Sequence, residues 1–195
     1  HIWKLLKPIF NEKPDLVIDG ELYNHKYRHH LNRISGLCRK TKLTESELEE
    51  SLVLQYHVYD CMGADEEDDE YPILPEAGFV ERFSALQAHP RIGYLFDQSE
   101  YLYFVDAEQV NTPEELDDLN ASYLEQEYEG QMVRIDGHPY EGKRSKWLRK
   151  RKEFIDQEFT IVGFTEGVGN RSGMAGNVMY VTDKGEPFGS GIAGG

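Results

Sequence analysis

Apolar and polar residues alternate along PDLVIDGELYNH, which starts at Pro14, and this period of two predicts a half-buried strand. The period then changes. Leu31, Ile34, Leu37 and Cys38 recur at helical spacing and predict an amphipathic helix. VLQYHVYDCM, from Val53, is rich in β-branched and aromatic residues and reads as a buried strand. ADEEDDEYPILP, from Ala64, is a charge run ending in prolines and reads as a loop, and FVERFSALQAH reads as a short helix. YLFDQSEYLYFVDAEQV, from Tyr94, is expected to form two strands around a turn. TPEELDDLNASYLEQE carries the clearest helix start: Thr112 as N-cap, Pro113 at the first helical position and Glu115 completing a capping box. EGQMVRI and EFTIVGF read as strands. The remaining tail has turns at NRSG and TDKGE between short strands, as at the start of a small β-barrel. The pattern as a whole is α+β.

Composition narrows the class. Of the 195 residues, 39% are hydrophobic and 12% aromatic, enough for a true core. No apolar run approaches the roughly 20 residues needed to span a bilayer, so no membrane association is expected. Only Cys38 and Cys61 occur, which excludes a disulfide framework and suits a reducing compartment. The chain starts without methionine and ends in GSGIAGG directly after a strand-like segment, so it reads as an internal fragment.

Charge is what changes the picture. The formal net charge is -15, yet Lys143, Arg144, Lys146, Arg149, Lys150, Arg151 and Lys152 crowd one short run. The acidic excess lies elsewhere, in 45–50, 65–70 and 114–127. On a strand Lys150 and Lys152 point one way, and Arg149 and Arg151 the other. Lysines guarding an exposed sheet edge explain one or two such charges. Seven suit a polyanion better, a nucleotide triphosphate or a DNA backbone.

Other residues say less on their own. DGEL places Asp19 and Glu21 on one face of a strand, most simply a solvated one. Tyr59 closes an aromatic strand that by itself is more often core. Glu129 opens EGQMVRI as solvated strand-leading glutamates do. His25, His29, His30 and Cys38 lack zinc-ligand spacing and read as a solvated helix start. Arg82 could orient the aromatic strand that Tyr59 closes, but reads more simply as half of a helix-surface ion pair.

In order and at these spacings, the same elements resemble the nucleotidyltransferase core of ATP-dependent DNA ligases, above all the compact phage and viral type. DGEL looks like the family's third motif and YHVYD, Tyr56 to Asp60, like the aromatic motif. EGQMVR looks like the fourth motif, and KRKEF, Lys150 to Phe154, like the K-x-K pair of the fifth, approached through KRS. The resemblance implies an ATP-grasp-like core of antiparallel sheets flanked by helices over 1–155. The start of an OB-fold barrel would follow over 156–195.

It also implies roles. Lys150, Lys152 and Glu129 would be catalytic, and with Glu21 and Tyr59 would bind ATP. Glu129 and Glu21 would hold Mg²⁺ or Mn²⁺, with Glu21 alternatively on the ribose. Lys143, Arg144 and Lys146 would contact nicked double-stranded DNA, Arg144 above all. Arg134 would contact phosphate or support its strand through an ion pair. The expected protein is a monomer that seals nicks through enzyme-AMP and DNA-adenylate intermediates, in a bacterial or phage-infected cytoplasm or in a nucleus. One departure stands out. The K-x-D-G motif that carries the adenylated lysine matches nothing between His1 and Asp15; Lys4, Lys7 and Lys13 lack the following Asp-Gly. The fragment alone is therefore expected to be inactive. An RNA ligase, a capping guanylyltransferase and a non-catalytic nick-binding module remain open beside DNA ligase.

Overall fold

In the computed structural model, residues 1–63, 72–153 and 157–192 are described. The acidic stretch 65–70, Phe154 and the expected 155/156 domain boundary fall outside them. The chain divides into two compact units, His1–Lys152 and Glu153–Gly195.

The first unit begins with helix α1 (Ile2–Glu12), whose Leu6 and Ile9 enter the core. The sequence pattern gave no sign of it because Pro8 lies inside, where a missing N–H and a ring clash normally break a helix. Burial of the i, i+3 face formed by Leu6 and Ile9 outweighs that. Strand β1 (Val17–Tyr23) pairs antiparallel with β2 (Gln55–Met62), and β2 pairs parallel with the short β3 (Leu102–Phe104). Helices α2 (Leu31–Arg39) and α3 (Glu45–Glu50) connect β1 to β2. Helices α4 (Phe79–Ala88) and α5 (Pro90–Asp97) occupy the crossover from β2 to β3 that a parallel pair requires.

The expected strand at Tyr94–Phe96 is thus the end of α5. His89 caps that helix by accepting the Ile92 N–H, and Pro90 sits in its first turn. Ile92 and Phe96, four apart, meet the core where a strand would have split them. Val58, Cys61, Leu86, Ile92 and Leu102 are all but fully excluded from solvent.

Helix α6 (Pro113–Glu125) starts as its sequence dictates, with the reciprocal Thr112–Glu115 box formed. It packs on one face of a two-stranded antiparallel sheet, β4 (Gly130–Arg134) with β5 (Leu148–Lys152). Buried Gln131 donates from Nε2 to the Leu116 carbonyl at 3.1 Å, and Arg151 reaches Asp117 at 2.6 Å. The opposite face of β4–β5 is open around Met132, Lys150 and Lys152, while Arg134 at its far end reaches β2.

Two glycines are dictated by close approach. The β1–β2 register shifts at Asp19/Gly20, where Tyr59 is the extra residue of a bulge. A Cβ on Gly20 would lie 2.6 Å from the His57 carbonyl oxygen. Gly130 has φ of 141°, and a Cβ there would meet the Arg151 carbonyl oxygen at 2.2 Å.

The second unit is an antiparallel meander of β6 (Thr160–Glu166), β7 (Ala175–Val181) and β8 (Pro187–Gly191). Gly173 and Gly185, both at positive φ, form the turns read at NRSG and TDKGE. Among the described residues this sheet is open, with Ile161, Val162 and Phe164 exposed. No described helix is long and apolar enough to cross a membrane.

Candidate active site

The open face of β4–β5 carries the densest chemistry. Glu129 stands at its edge, 2.5 Å from the Lys152 ammonium and 3.7 Å from that of Lys150. The strand alternation seen in sequence is realised: Lys150 and Lys152 share the open face, and Arg151 turns to α6. The hydrogen bond from Lys152, then its charge, holds the Glu129 carboxyl below the usual carboxylate range. All three side chains are solvent-accessible, so their charges can be re-partnered by an incoming anion.

Glu21 and Tyr59 belong to the other sheet. Glu21 is exposed on β1, paired in register with His57. Tyr59 is half-buried. The bulge re-aims it so that its hydroxyl meets Asp19, and burial, followed by that carboxylate, pushes the phenol up to about 12. The Tyr140 hydroxyl also donates to Asp19, at 3.0 Å. Asp19 is therefore held by tyrosyl hydroxyls. Burial and then Tyr128 push the Tyr23 hydroxyl up, with Glu21 on one sheet and Glu129 beside the other adding to the shift and Arg28 opposing it. Among the described residues no three His, Cys, Asp or Glu side chains gather as a metal cluster.

Lys143, Arg144 and Lys146 lie on the segment joining β4 to β5. Arg144 is exposed, Lys143 is 3.8 Å from Glu141, and Lys146 sits 4.5 Å over the Trp147 ring. Trp147 is stacked in turn on His138 with ring centroids 3.4 Å apart. This segment walls a cavity of about 300 Å³ lined also by Asp19, Asp60, Arg82 and Arg134.

Beneath that cavity is a feature that sequence reasoning missed. Asp60, 2% exposed, accepts from Arg82 Nε at 2.6 Å and Nη2 at 2.8 Å, and its Oδ2 also accepts from Arg134. Arg82 is 3% exposed and further donates to the carbonyls of Ala77 and His138. The expectation of a helix-surface ion pair for Arg82 is therefore wrong; the pair is buried. Its position one turn from Phe79 and Leu86, on the apolar face of α4, was the available signal. Arg134 takes the strand-supporting role of the two considered for it, tying β4 to β2. It reaches the Tyr59 carbonyl at 3.2 Å as well.

Of the residues expected to be solvated, His29, His30 and Cys38 are exposed, and His25 departs: the Tyr23 hydroxyl and His25 Nδ1 hydrogen-bond at 2.8 Å, and the His25 ring lies 4.5 Å from that of Tyr128.

A family model for the ATP dependent DNA ligase domain matches residues 1–152, the whole of the first unit. The chain belongs to that family. DNA ligase of African swine fever virus is 29% identical over 157 residues, which are 77% of this chain and 32% of the viral protein. DNA ligase of Haemophilus influenzae is 28% identical over 180 residues, 92% of this chain and 59% of the bacterial protein. The chain thus spans less than two thirds of these relatives. Among solved structures, a Lig E DNA ligase aligns with a TM-score of 0.64 at 20% identity, over 91% of this chain and 62% of that one. The structure Pmar-Lig_PreS3 aligns with a TM-score of 0.65 at 20% identity, over 100% of this chain and 44% of that one. The fold, mixed helices and sheets that are antiparallel except for the β2–β3 pair, is that of these ligase structures. Membership in an ATP-dependent family implies ATP as the nucleotide.

Proposed function

We propose that the chain is the catalytic core of an ATP-dependent DNA ligase that joins a 3′-hydroxyl to a 5′-phosphate in nicked duplex DNA, through enzyme-AMP and DNA-adenylate. The observation that carries this reading is the joint placement of Glu129, Lys150 and Lys152 on the open face of β4–β5, within a unit whose whole length matches the ligase family. The first unit acts as the adenylation domain and the second as the beginning of an OB-fold domain.

Phosphoryl transfer needs cations placed where charge accumulates. Lys150 and Lys152 supply them to the α-phosphate, exchanging Glu129 for phosphate oxygens. The flat ring of Tyr59 takes the adenine face, and Glu21 the ribose. Magnesium is held by one or two carboxylates together with substrate phosphates, so the donors present, Glu129 and Glu21, fit it in kind. When bound, it neutralises phosphate charge. Released from Lys150 and Lys152 by the phosphate, Glu129 is left as an acceptor facing the nucleotide. Lys143, Arg144 and Lys146 bind the DNA backbone. We assign the adenylated lysine to no residue of this sequence. The protein works as a monomer in the cytoplasm or nucleus.

Isothermal titration with ATP and Mg²⁺ tests the nucleotide reading directly, with GTP as the discriminating control. Tyr59→Ala is expected to cost about 1–3 kcal/mol of ATP affinity, the range for stacking a base on an aromatic side chain. Tyr59→Phe keeps the ring and should bind nearly as the parent does. Equal losses in the two variants would remove the stacking role, and a preference for GTP would move the chain to the guanylyltransferase branch.

A further inference from the structure

We infer that Arg28 is a positioning residue that fixes Glu129 by latching Glu127 to the end of the first sheet. The inference rests on the nucleotide reading above for its purpose, but its geometry is independent of it.

Glu127 has φ of 64°, and it is the sole non-glycine at positive φ among the described residues. A glutamate in the left-handed region is uncommon and persists only where its surroundings hold it. Three residues later Gly130 is again at positive φ. The backbone therefore turns sharply on both sides of Glu129, and the direction of that carboxylate depends on how the turn is anchored.

The anchor comes from His25–His30, two short 3₁₀ turns joined by a kink at Tyr27, which follows β1 after Asn24. Arg28 ion-pairs with Glu127 through Nη2 and donates from Nη1 to the His25 carbonyl at 3.1 Å. His29 Nε2 lies 3.4 Å from the other Glu127 carboxylate oxygen. His25, tied to Tyr23, lays its ring against Tyr128, the residue between Glu127 and Glu129. Arg28 and Glu127 are 99 positions apart in sequence, so the contact joins the sheet that bears Glu21 and Tyr59 to the sheet that bears Glu129, Lys150 and Lys152. A partly exposed ion pair contributes little to global stability. What this one supplies is a fixed separation between the two halves of the nucleotide site.

Removing it should therefore act on binding and local opening, not on folding. Arg28→Ala, made in the 195-residue chain, is expected to lower ATP affinity about tenfold, as for substitutions that alter coupling between sites. The thermal midpoint should stay close to the parent value. Amide exchange should accelerate in 127–131 and in 25–30, and stay unchanged in β2. Arg28→Lys keeps the charge and should recover most of the affinity. Glu127→Gln should reproduce the Arg28→Ala loss, and the double variant should be no weaker than either single one. Parent-like exchange of 127–131 in Arg28→Ala would overturn the latch. Faster exchange with parent-like ATP affinity would overturn its positioning role. A parent chain that binds no ATP would overturn the nucleotide reading instead, with the exchange comparison still deciding whether the latch exists.

Discussion

Asp60→Ala is expected to destabilise the first unit by about 3–5 kcal/mol, the range for removing one partner of a buried ion pair. Arg82 and Arg134 converge on this one carboxylate, and Arg82 has only 4% of its side chain exposed. Without Asp60, two guanidinium groups face each other in a medium that screens them poorly. Burial already disfavours the charge on Arg134, and Asp60 is the first influence opposing it. The loss would show in urea denaturation as an earlier midpoint at unchanged slope. Arg134→Ala should cost less, because Asp60 keeps both bonds from Arg82 and Arg134 has 17% of its side chain exposed. A destabilisation by Asp60→Ala of under about 1 kcal/mol, the size of a surface pair, would show that the cluster does not hold β2, β4 and α4 together.

The second large effect concerns ligand affinity. Lys150→Ala and Lys152→Ala should each weaken ATP binding roughly ten- to a hundredfold, as expected for the loss of a hydrogen bond to a charged group. Their thermal midpoints should hardly move, because both ammonium groups are exposed to solvent. Arg149→Ala and Arg151→Ala should leave ATP binding near the parent value. Arg151 is engaged with Asp117 on the α6 side of the strand, where a nucleotide on the open face cannot reach it. Four comparable losses of affinity, or four comparable losses of solubility without any change in affinity, would return the run to a guarded sheet edge.

What could be read from the residues and what could not divides by the range of the interaction. Helix α6 was legible because its start is written within four residues, Thr112 to Glu115. The shared face of Lys150 and Lys152 was legible because strand geometry alone sets it. Helix α1 is masked by Pro8, and the C-terminal half of α5 reads as a strand because Tyr94 and Phe96 favour one while the helix start, His89 and Pro90, lies outside that aromatic stretch. Asp60 and Arg82 are 22 positions apart and Asp60 and Arg134 are 74 apart, so nothing local announces that they share one buried carboxylate. The same holds for the site itself. Sequence order offers Glu21 and Tyr59 as candidates on one side and Glu129, Lys150 and Lys152 on the other. It could not show that they belong to separate sheets.

Cys61 lies in the same strand as Tyr59 and Asp60, wholly enclosed, with its thiol donating to the Arg82 carbonyl at 3.4 Å. Burial, helped by Asp60, pushes that thiol up to about 12. Cys38, on α2, is exposed. Alkylating reagents attack the thiolate, so the two sulfurs differ both in access and in chemistry. Cys38 is open to modification in the folded chain, whereas Cys61 reacts only when β2 leaves the core. The rate of Cys61 labelling is thus an intrinsic clock for the opening of the strand that presents Tyr59, and any nucleotide held against that strand would slow it.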